Sequence, residues 1–309
     1  MMNKIISVIG PTASGKTKLS VALAKKYNAE IVSVDSMQIY REMNIGTAKI
    51  TPDEMQGIPH YMIDCFWPTE VCSVSKFVAL ARNYVDDILS RNKNCVLAGG
   101  TGLYVDHLIQ DTQFVDMPSD PSLRSQLNNH SCEELMSRLQ AMDPRAAARL
   151  HLNDKKRIVR ALEVILLTGK SILYWEEQSH VGSSPLPAIM IGLNFTDREY
   201  LYERINQRVD LMLEQGLERE VIALKEYPGF VGSTASEGIG YKEILRYLDG
   251  EISLQESVDL IKQSTRRYAK RQITWFKRNP LVNWIDVDRY TAFSEVLEQS
   301  FRIIERNGK

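Results

Sequence analysis

Along the chain, short apolar runs alternate with longer stretches in which apolar positions recur every three or four residues. Ile5, Ile6, Val8 and Ile9 form the first run, suited to a buried strand, and residues 16–27 follow with Leu19, Ala22 and Leu23 at helical spacing. Residues 30–34, 60–63 and 95–98 predict three further strands, with a helix over 74–89, and residues 189–193 and 282–287 predict two more. Helical spacing returns over 197–227, as one long helix or a pair broken at Gly216, then over 254–276 and 295–305. This alternation predicts an α/β fold: a mostly parallel sheet with helices on both faces. Composition shifts near Asp116, Pro118, Ser119 and Pro121, and again from Gly182 to Pro187. Between those breaks, residues 123–127, 132–142 and 154–168 show only helical spacing. The expected organisation is therefore a core of residues 1–114 and 189–309, interrupted by an all-helical subdomain over 115–188.

The connection from the first strand to the first helix carries the clearest chemistry. Gly10, Pro11, Thr12, Ala13, Ser14, Gly15, Lys16 and Thr17 read GPTASGKT and fit the phosphate-loop pattern G-x-x-x-x-G-K-[ST] without a gap. Two glycines let the backbone curl so that successive N–H groups point inward, and the helix N-terminus adds partial positive charge. Lys16 would reach two phosphates, and the Thr17 hydroxyl is a natural ligand for Mg2+. Such a nest recognises a di- or triphosphate and specifies no reaction. Asp35, ending the second strand, stands where α/β sheets place their chemistry. It could hold magnesium through water, take a proton from a nucleophile, or merely cap its own loop. Gln38 nearby offers an amide able to pair with a base edge. The turn GGTGLY at residues 99–104 brings Thr101 between glycines that allow close approach of a ligand, or that form a plain tight turn.

Charge sharpens the picture only locally. The 309 residues include 38 basic and 39 acidic side chains, a formal net charge of -1, so any polyanion surface must come from clustering. One cluster opens a helix in the insert, where Lys155, Lys156, Arg157 and Arg160 follow Asn153 and Asp154; a solvated face is the alternative. A stronger one spans residues 262–278, with Lys262, Arg266, Arg267, Lys270, Arg271, Lys277 and Arg278, interleaved by Tyr268, Trp275 and Phe276 and free of acids. Cys65, Cys72, Cys95 and Cys132 are widely spaced without a C-x-x-C pair, which argues against a zinc finger and for free thiols in a reducing compartment. No run of about 18 apolar residues and no signal region is visible, so a cytoplasmic protein with no membrane partner is expected.

Taken in order, GPTASGKT, DSMQIY (35–40), GGTGLY, NDKKRIVRALE (153–163), GIGYKE (238–243) and TRRYAKRQITWF (265–276) resemble the tRNA dimethylallyltransferase family over nearly the whole chain. The resemblance implies transfer of a dimethylallyl group from dimethylallyl diphosphate to N6 of the adenosine 3′ of the anticodon in tRNA. It implies that residues 10–17 cradle the donor diphosphate, with Lys16 and Mg2+ offsetting its charge. It further implies that Asp35 is the base, that Thr101 assists at donor and amine, and that Ser36, Met37 and Gln38 line the acceptor pocket. The segment Lys156, Arg157, Ile158, Val159 and Arg160 would touch tRNA. A monomer is expected. The rival readings are a phosphate-loop kinase or isopentenyltransferase acting on a free adenine nucleotide, and an NTP-driven RNA-binding switch; the basic stretch over 262–278 counts against the free-nucleotide enzymes.

Overall fold

The computed structural model describes residues 4–114, 117–179, 181 and 184–307; the expected composition breaks at Asp116 and Gly182 lie outside the described residues. Two compact units result, Met1–Ile109 with Leu186–Lys309, and Gln110–Pro185. The insert thus begins and ends a few residues earlier than 115–188. The reason is local: the helix after the fourth strand stops at Ile109, whose carbonyl accepts the Leu186 N–H at 2.8 Å, so the chain leaves and rejoins the core side by side.

In chain order the first unit runs β1 (Ile5–Ile9), α1 (Lys16–Tyr27), β2 (Ala29–Val34), α2 (Pro52–Met55), β3 (His60–Tyr61), α3 (Val74–Ser90), β4 (Asn94–Gly99) and α4 (Gly102–Ile109). The second unit contributes α5 (Pro121–Asn128), α6 (Cys132–Met142), α7 (Pro144–Ala147), α8 (Lys155–Thr168) and α9 (Ile172–Gln178). The first unit resumes with β5 (Ala188–Asn194), α10 (Arg198–Gln215), α11 (Leu217–Lys225), α12 (Tyr241–Leu248), α13 (Leu254–Phe276), β6 (Asn283–Asp286) and α14 (Phe293–Asn307).

The six strands form one sheet in the order β3-β2-β4-β1-β5-β6, every pairing parallel. Side chains alternate between its faces. Ile5, Ile9, Val32, Val34, Cys95 and Leu97 join one apolar cluster with residues of α3, α4 and α11, and Ile6, Val8, Ile31, Val96 and Ile191 join another against α1 and α14. Burial on both faces explains why β1 is apolar at every position but Ser7. Each such Ile or Val contributes about 1.5–3 kcal/mol. The long helical stretch over 197–227 breaks where expected, at Gly216, whose φ of 100° ends α10 and starts α11.

Because all strands run the same way, the loops leaving β1, β2 and β4 emerge at one edge. Register makes this concrete: Gly99 pairs with Ile9 on one side and Val34 on the other. In the second unit, α5, α6 and α8 pack around Leu127, Leu135, Leu139, Ile158 and Leu162. Glu163, fully buried there, accepts from Arg124, Arg160 and the Asp120 N–H.

Candidate active site

The loop from β1 to α1 has the backbone that its glycines foretell. Gly15 has φ of 90° with open space where a side chain would lie, so its need is purely conformational. Gly10 has φ of 147°, and a Cβ there would stand 2.7 Å from the Leu193 carbonyl oxygen, so both reasons act together. No side chain caps α1 and no acid occupies its first turn, which leaves the N–H groups of that turn for an anion.

The loop is held from outside by groups that the sequence did not single out. Arg204 on α10 donates to the Ala13 carbonyl at 2.9 Å, and the Thr12 N–H donates to Gln272 Oε1 on α13 at 2.9 Å. Pro11 has no N–H, and its carbonyl accepts Lys16 Nζ at 2.6 Å. Of residues 10–17, the stretch from Thr12 to Thr17 lines a cavity of about 1090 Å³, while Gly10 and Pro11 shape it from behind. The Thr12 N–H is already engaged, so the anion-facing donors are those farther along the loop.

Asp35, Ser36, Met37 and Gln38 line the same cavity. Asp35 Oδ1 accepts from the N–H groups of Met37 at 2.8 Å and Gln38 at 3.3 Å, an Asx turn that caps the loop and orients the carboxylate at once. The capping and functional readings of this residue are therefore compatible. Gln38 is differently placed from expectation. Its Nε2 donates to the Thr47 and Ala48 carbonyls, and its Oε1 accepts from Ser33, so its amide braces the neighbouring loop and is not free for a base edge. Thr101 sits behind the wall made by Ser36 and Gly100, its Oγ1 accepting the Ser36 N–H at 3.1 Å.

The glycines of GGTGLY serve close approach. A Cβ on Gly99 would lie 2.0 Å from the Val34 carbonyl oxygen, on Gly100 2.1 Å from Gln272 Nε2, and on Gly102 2.2 Å from the Trp275 ring. Trp275 Nε1 also donates to Asp106 on α4 at 2.7 Å.

Electrostatically the cavity is under-neutralised. Enclosure by protein lowers the Lys16 ammonium to about 7, with Arg208 adding repulsion and Asp35 opposing it. Burial likewise lowers Arg208 on α10, while Asp35 and Glu54 pull it back. Two desolvated cations beside an uncapped helix N-terminus favour a bound polyanion. Tyr268 on α13 lines the cavity too; burial and the Asp35 charge raise its phenol to about 12, so it remains a hydrogen-bond donor.

Arg204, Arg208 and Gln272 escaped sequence reasoning as site residues, and Tyr268 was noted only as an aromatic within the basic run. The arginines are interspersed with Glu203, Asp210 and Glu214, which hides them from any charge count, and Gln272 is a neutral residue inside a basic run. The 262–278 cluster divides in the structure. Lys262 pairs with Asp210 at 2.6 Å and Arg266 donates to Asn206, both on α10; Arg271 lines the cavity, and Lys270, Lys277 and Arg278 are exposed.

In the second unit, only part of the expected tRNA segment is available. Ile158 and Val159 are buried in that unit's core, so they cannot present side chains to a partner. Arg160 forms an ion pair with buried Glu163 and donates to the Pro118 carbonyl. Lys156 and Arg157 are exposed, and among the described residues the Arg157 side chain meets Asp154 at 3.4 Å on the solvent side.

A parallel α/β sheet with a loop of the phosphate-loop pattern after β1 and an acid at the end of β2, one strand removed across β4, defines a phosphate-loop protein. Comparison narrows the class. The family described as IPP transferase matches residues 38–279. A tRNA dimethylallyltransferase from Thermoanaerobacter pseudethanolicus is 47% identical over 301 residues, covering 96% of each chain, and one from Geobacillus thermodenitrificans is 44% identical over 308 residues, covering 98% of this chain and 97% of its own. The crystal structure of a tRNA isopentenylpyrophosphate transferase from Bacillus halodurans superposes with a TM-score of 0.75 at 42% identity, covering 99% of this chain and 96% of that one. A eukaryotic dimethylallyltransferase acting on tRNA gives a TM-score of 0.80 at 28% identity, over 98% of this chain and 78% of its own. The chain belongs to the IPP transferase family.

Proposed function

We propose that the protein transfers the dimethylallyl group of dimethylallyl diphosphate to N6 of the adenosine 3′ of the anticodon in tRNA, releasing diphosphate. The observation that carries this reading is the pairing, in one cavity, of an under-neutralised anion nest with a strand-end carboxylate. The relatives' names point the same way.

The donor diphosphate lies along the first turn of α1, with the Lys16 ammonium and the Arg208 guanidinium offsetting the negative charge that grows as the carbon–oxygen bond breaks. The amine of adenine is a poor nucleophile, because its lone pair is delocalised into the ring. Asp35, held by one oxygen in its Asx turn, accepts the amine proton as the carbon–nitrogen bond forms. Thr101 keeps Ser36 and the Asp35 turn in place. The adenosine leaves its anticodon-loop stack to reach this cavity, at a lower cost than for a duplex base. Lys156 and Arg157 in the second unit, and Lys270, Arg271, Lys277 and Arg278 in the first, meet tRNA phosphates.

No cluster of three or more His, Cys, Asp or Glu side chains suited to a metal occurs among the described residues. Magnesium accompanying a substrate phosphate needs only one or two protein oxygens, and the Thr17 hydroxyl on the cavity wall would supply one. When bound, Mg2+ would screen the diphosphate charge. Among the described residues no helix is long and apolar enough to cross a membrane.

The test is incubation of the purified protein with Mg2+, dimethylallyl diphosphate and unmodified tRNA, followed by nucleoside analysis. N6-dimethylallyl adenosine in tRNA is expected. Equal transfer to free AMP, or turnover of ATP in its place, would overturn the reading.

A further inference from the structure

Gln272 is 5% exposed and both ends of its amide are committed: Oε1 accepts the Thr12 N–H of the phosphate loop and Nε2 donates to the Gly100 carbonyl, each at 2.9 Å. One planar group thus ties the loop after β1 to the loop after β4. The connection continues. Gly100 precedes Thr101, whose Oγ1 accepts the Ser36 N–H, and Ser36 follows Asp35. Three hydrogen bonds of 2.9, 2.9 and 3.1 Å, joined through the backbone from Gly100 to Thr101 and from Ser36 to Asp35, therefore connect the phosphate loop to the carboxylate. The connection is tightly packed where Gln272 meets Gly100, since a Cβ there would collide with Gln272 Nε2, and a Cβ on Gly102 beside it would collide with Trp275, one turn further along α13.

From this geometry we propose that Gln272 is a positioning residue that sets the register between the donor diphosphate and the acceptor-side acid. The inference rests on the transferase reading above. A side-chain amide suits the task because it presents an acceptor and a donor a fixed distance apart in one plane. Neither a carboxylate nor an aliphatic side chain does both. The register matters because bond formation needs the reacting atoms about 3–3.5 Å apart, and a displacement near 1 Å costs about a hundredfold in rate. The cluster over 262–278 acquires a second role: its basic residues carry charge, while Gln272 bonds the helix to Gly100 of the GGTGLY loop and Trp275 bonds it to Asp106 on α4.

The experiment compares wild type, Gln272→Met and Gln272→Glu in steady-state transfer from dimethylallyl diphosphate to unmodified tRNA, with inorganic pyrophosphate binding by calorimetry and thermal melting in parallel. Wild type must transfer first; its failure would refute the function and leave the geometry of the clasp intact. Gln272→Met keeps length and removes both hydrogen bonds. The expected result is kcat lower by about a hundredfold, with pyrophosphate affinity and both KM values within a few-fold of wild type. Gln272→Glu keeps the contact to Thr12 but sets a carboxylate oxygen against the Gly100 carbonyl; it is expected to lose kcat as well and to bind pyrophosphate more weakly. Should Gln272→Met not fold, kcat of the Glu variant decides. A kcat within threefold of wild type in a folded variant overturns the proposal, as does a Gln272→Met loss of rate matched by an equal loss of pyrophosphate affinity.

Discussion

The two ends of β2 carry two carboxylates that the fold treats in opposite ways. Glu30, near the strand's start, is 2% exposed and surrounded by donors: Arg91 makes two bonds to it, Lys93 one at 2.6 Å, and the Tyr61 hydroxyl another at 2.8 Å. Those partners, Arg91 foremost, hold its pKa down to about 2 despite burial. Asp35, just beyond the strand's other end, accepts among the described residues from two backbone N–H groups, both on Oδ1, with the cations Lys16 and Arg208 near it. At one end the opposite charges meet in direct hydrogen bonds; at the other, Lys16 and Arg208 act on Asp35 through space, beside a helix terminus without a side-chain cap. A charge that is fully satisfied stabilises, and one left under-satisfied is available for work on a substrate.

This contrast predicts a double dissociation. Lys16→Met removes a desolvated cation next to Arg208. Transfer is expected to fall by about 10²–10³-fold, as for loss of a donor to developing negative charge, while the melting temperature holds or rises. A parallel loss of folding would place Lys16 with the structural charges. Glu30→Gln should do the reverse, lowering stability by about 2 kcal/mol through weakened charge-assisted bonds and leaving kcat within twofold, measured by denaturant unfolding and by transfer. A large rate effect would erase the distinction between the two edges.

The sign of the pH dependence follows. The folded pKa of Glu30 lies below its unfolded value, so its stabilisation is complete above about 4.5 and is lost as pH falls toward about 2. Melting temperatures of wild type and Glu30→Gln should therefore converge over that window. Divergence as the solution is acidified would contradict the assignment.

The smallest effect concerns the second unit, where the same logic separates Arg160, paired with buried Glu163, from exposed Lys156 and Arg157. Neutralising Lys156 and Arg157 together should weaken tRNA binding and reduce the slope of log affinity against log salt by about 1.5. Arg160→Gln should instead destabilise the unit. An unchanged slope in the first case would leave Lys156 and Arg157 as a solvated face.

Much of this was legible in the chain, and for identifiable reasons. The strands of the sheet and the loop from Gly10 to Thr17 are local patterns, set by two-face burial and by backbone conformations that only glycine takes easily. Helix α4 escaped notice because its apolar residues follow the glycine turn directly. The clamp residues were invisible because their meaning is nonlocal: Gln272 acquires a role only when α13 lies against Gly100, and Arg204 only when α10 meets Ala13. The overestimates share one cause. Gln38, Ile158 and Val159 lie in segments that also carry cavity-lining or exposed side chains, but burial and internal hydrogen bonds decide which side chains of a segment can meet a ligand.

The central claim is that Asp35 takes the acceptor proton while the nest beside it holds the donor. Single-turnover transfer by Asp35→Asn, with dimethylallyl diphosphate and tRNA both saturating, tests it most directly. The account predicts retained pyrophosphate and tRNA affinity with a chemical step slower by about 10²–10⁴-fold. An unchanged chemical step accompanied by lost tRNA affinity would contradict it and make Asp35 a recognition residue.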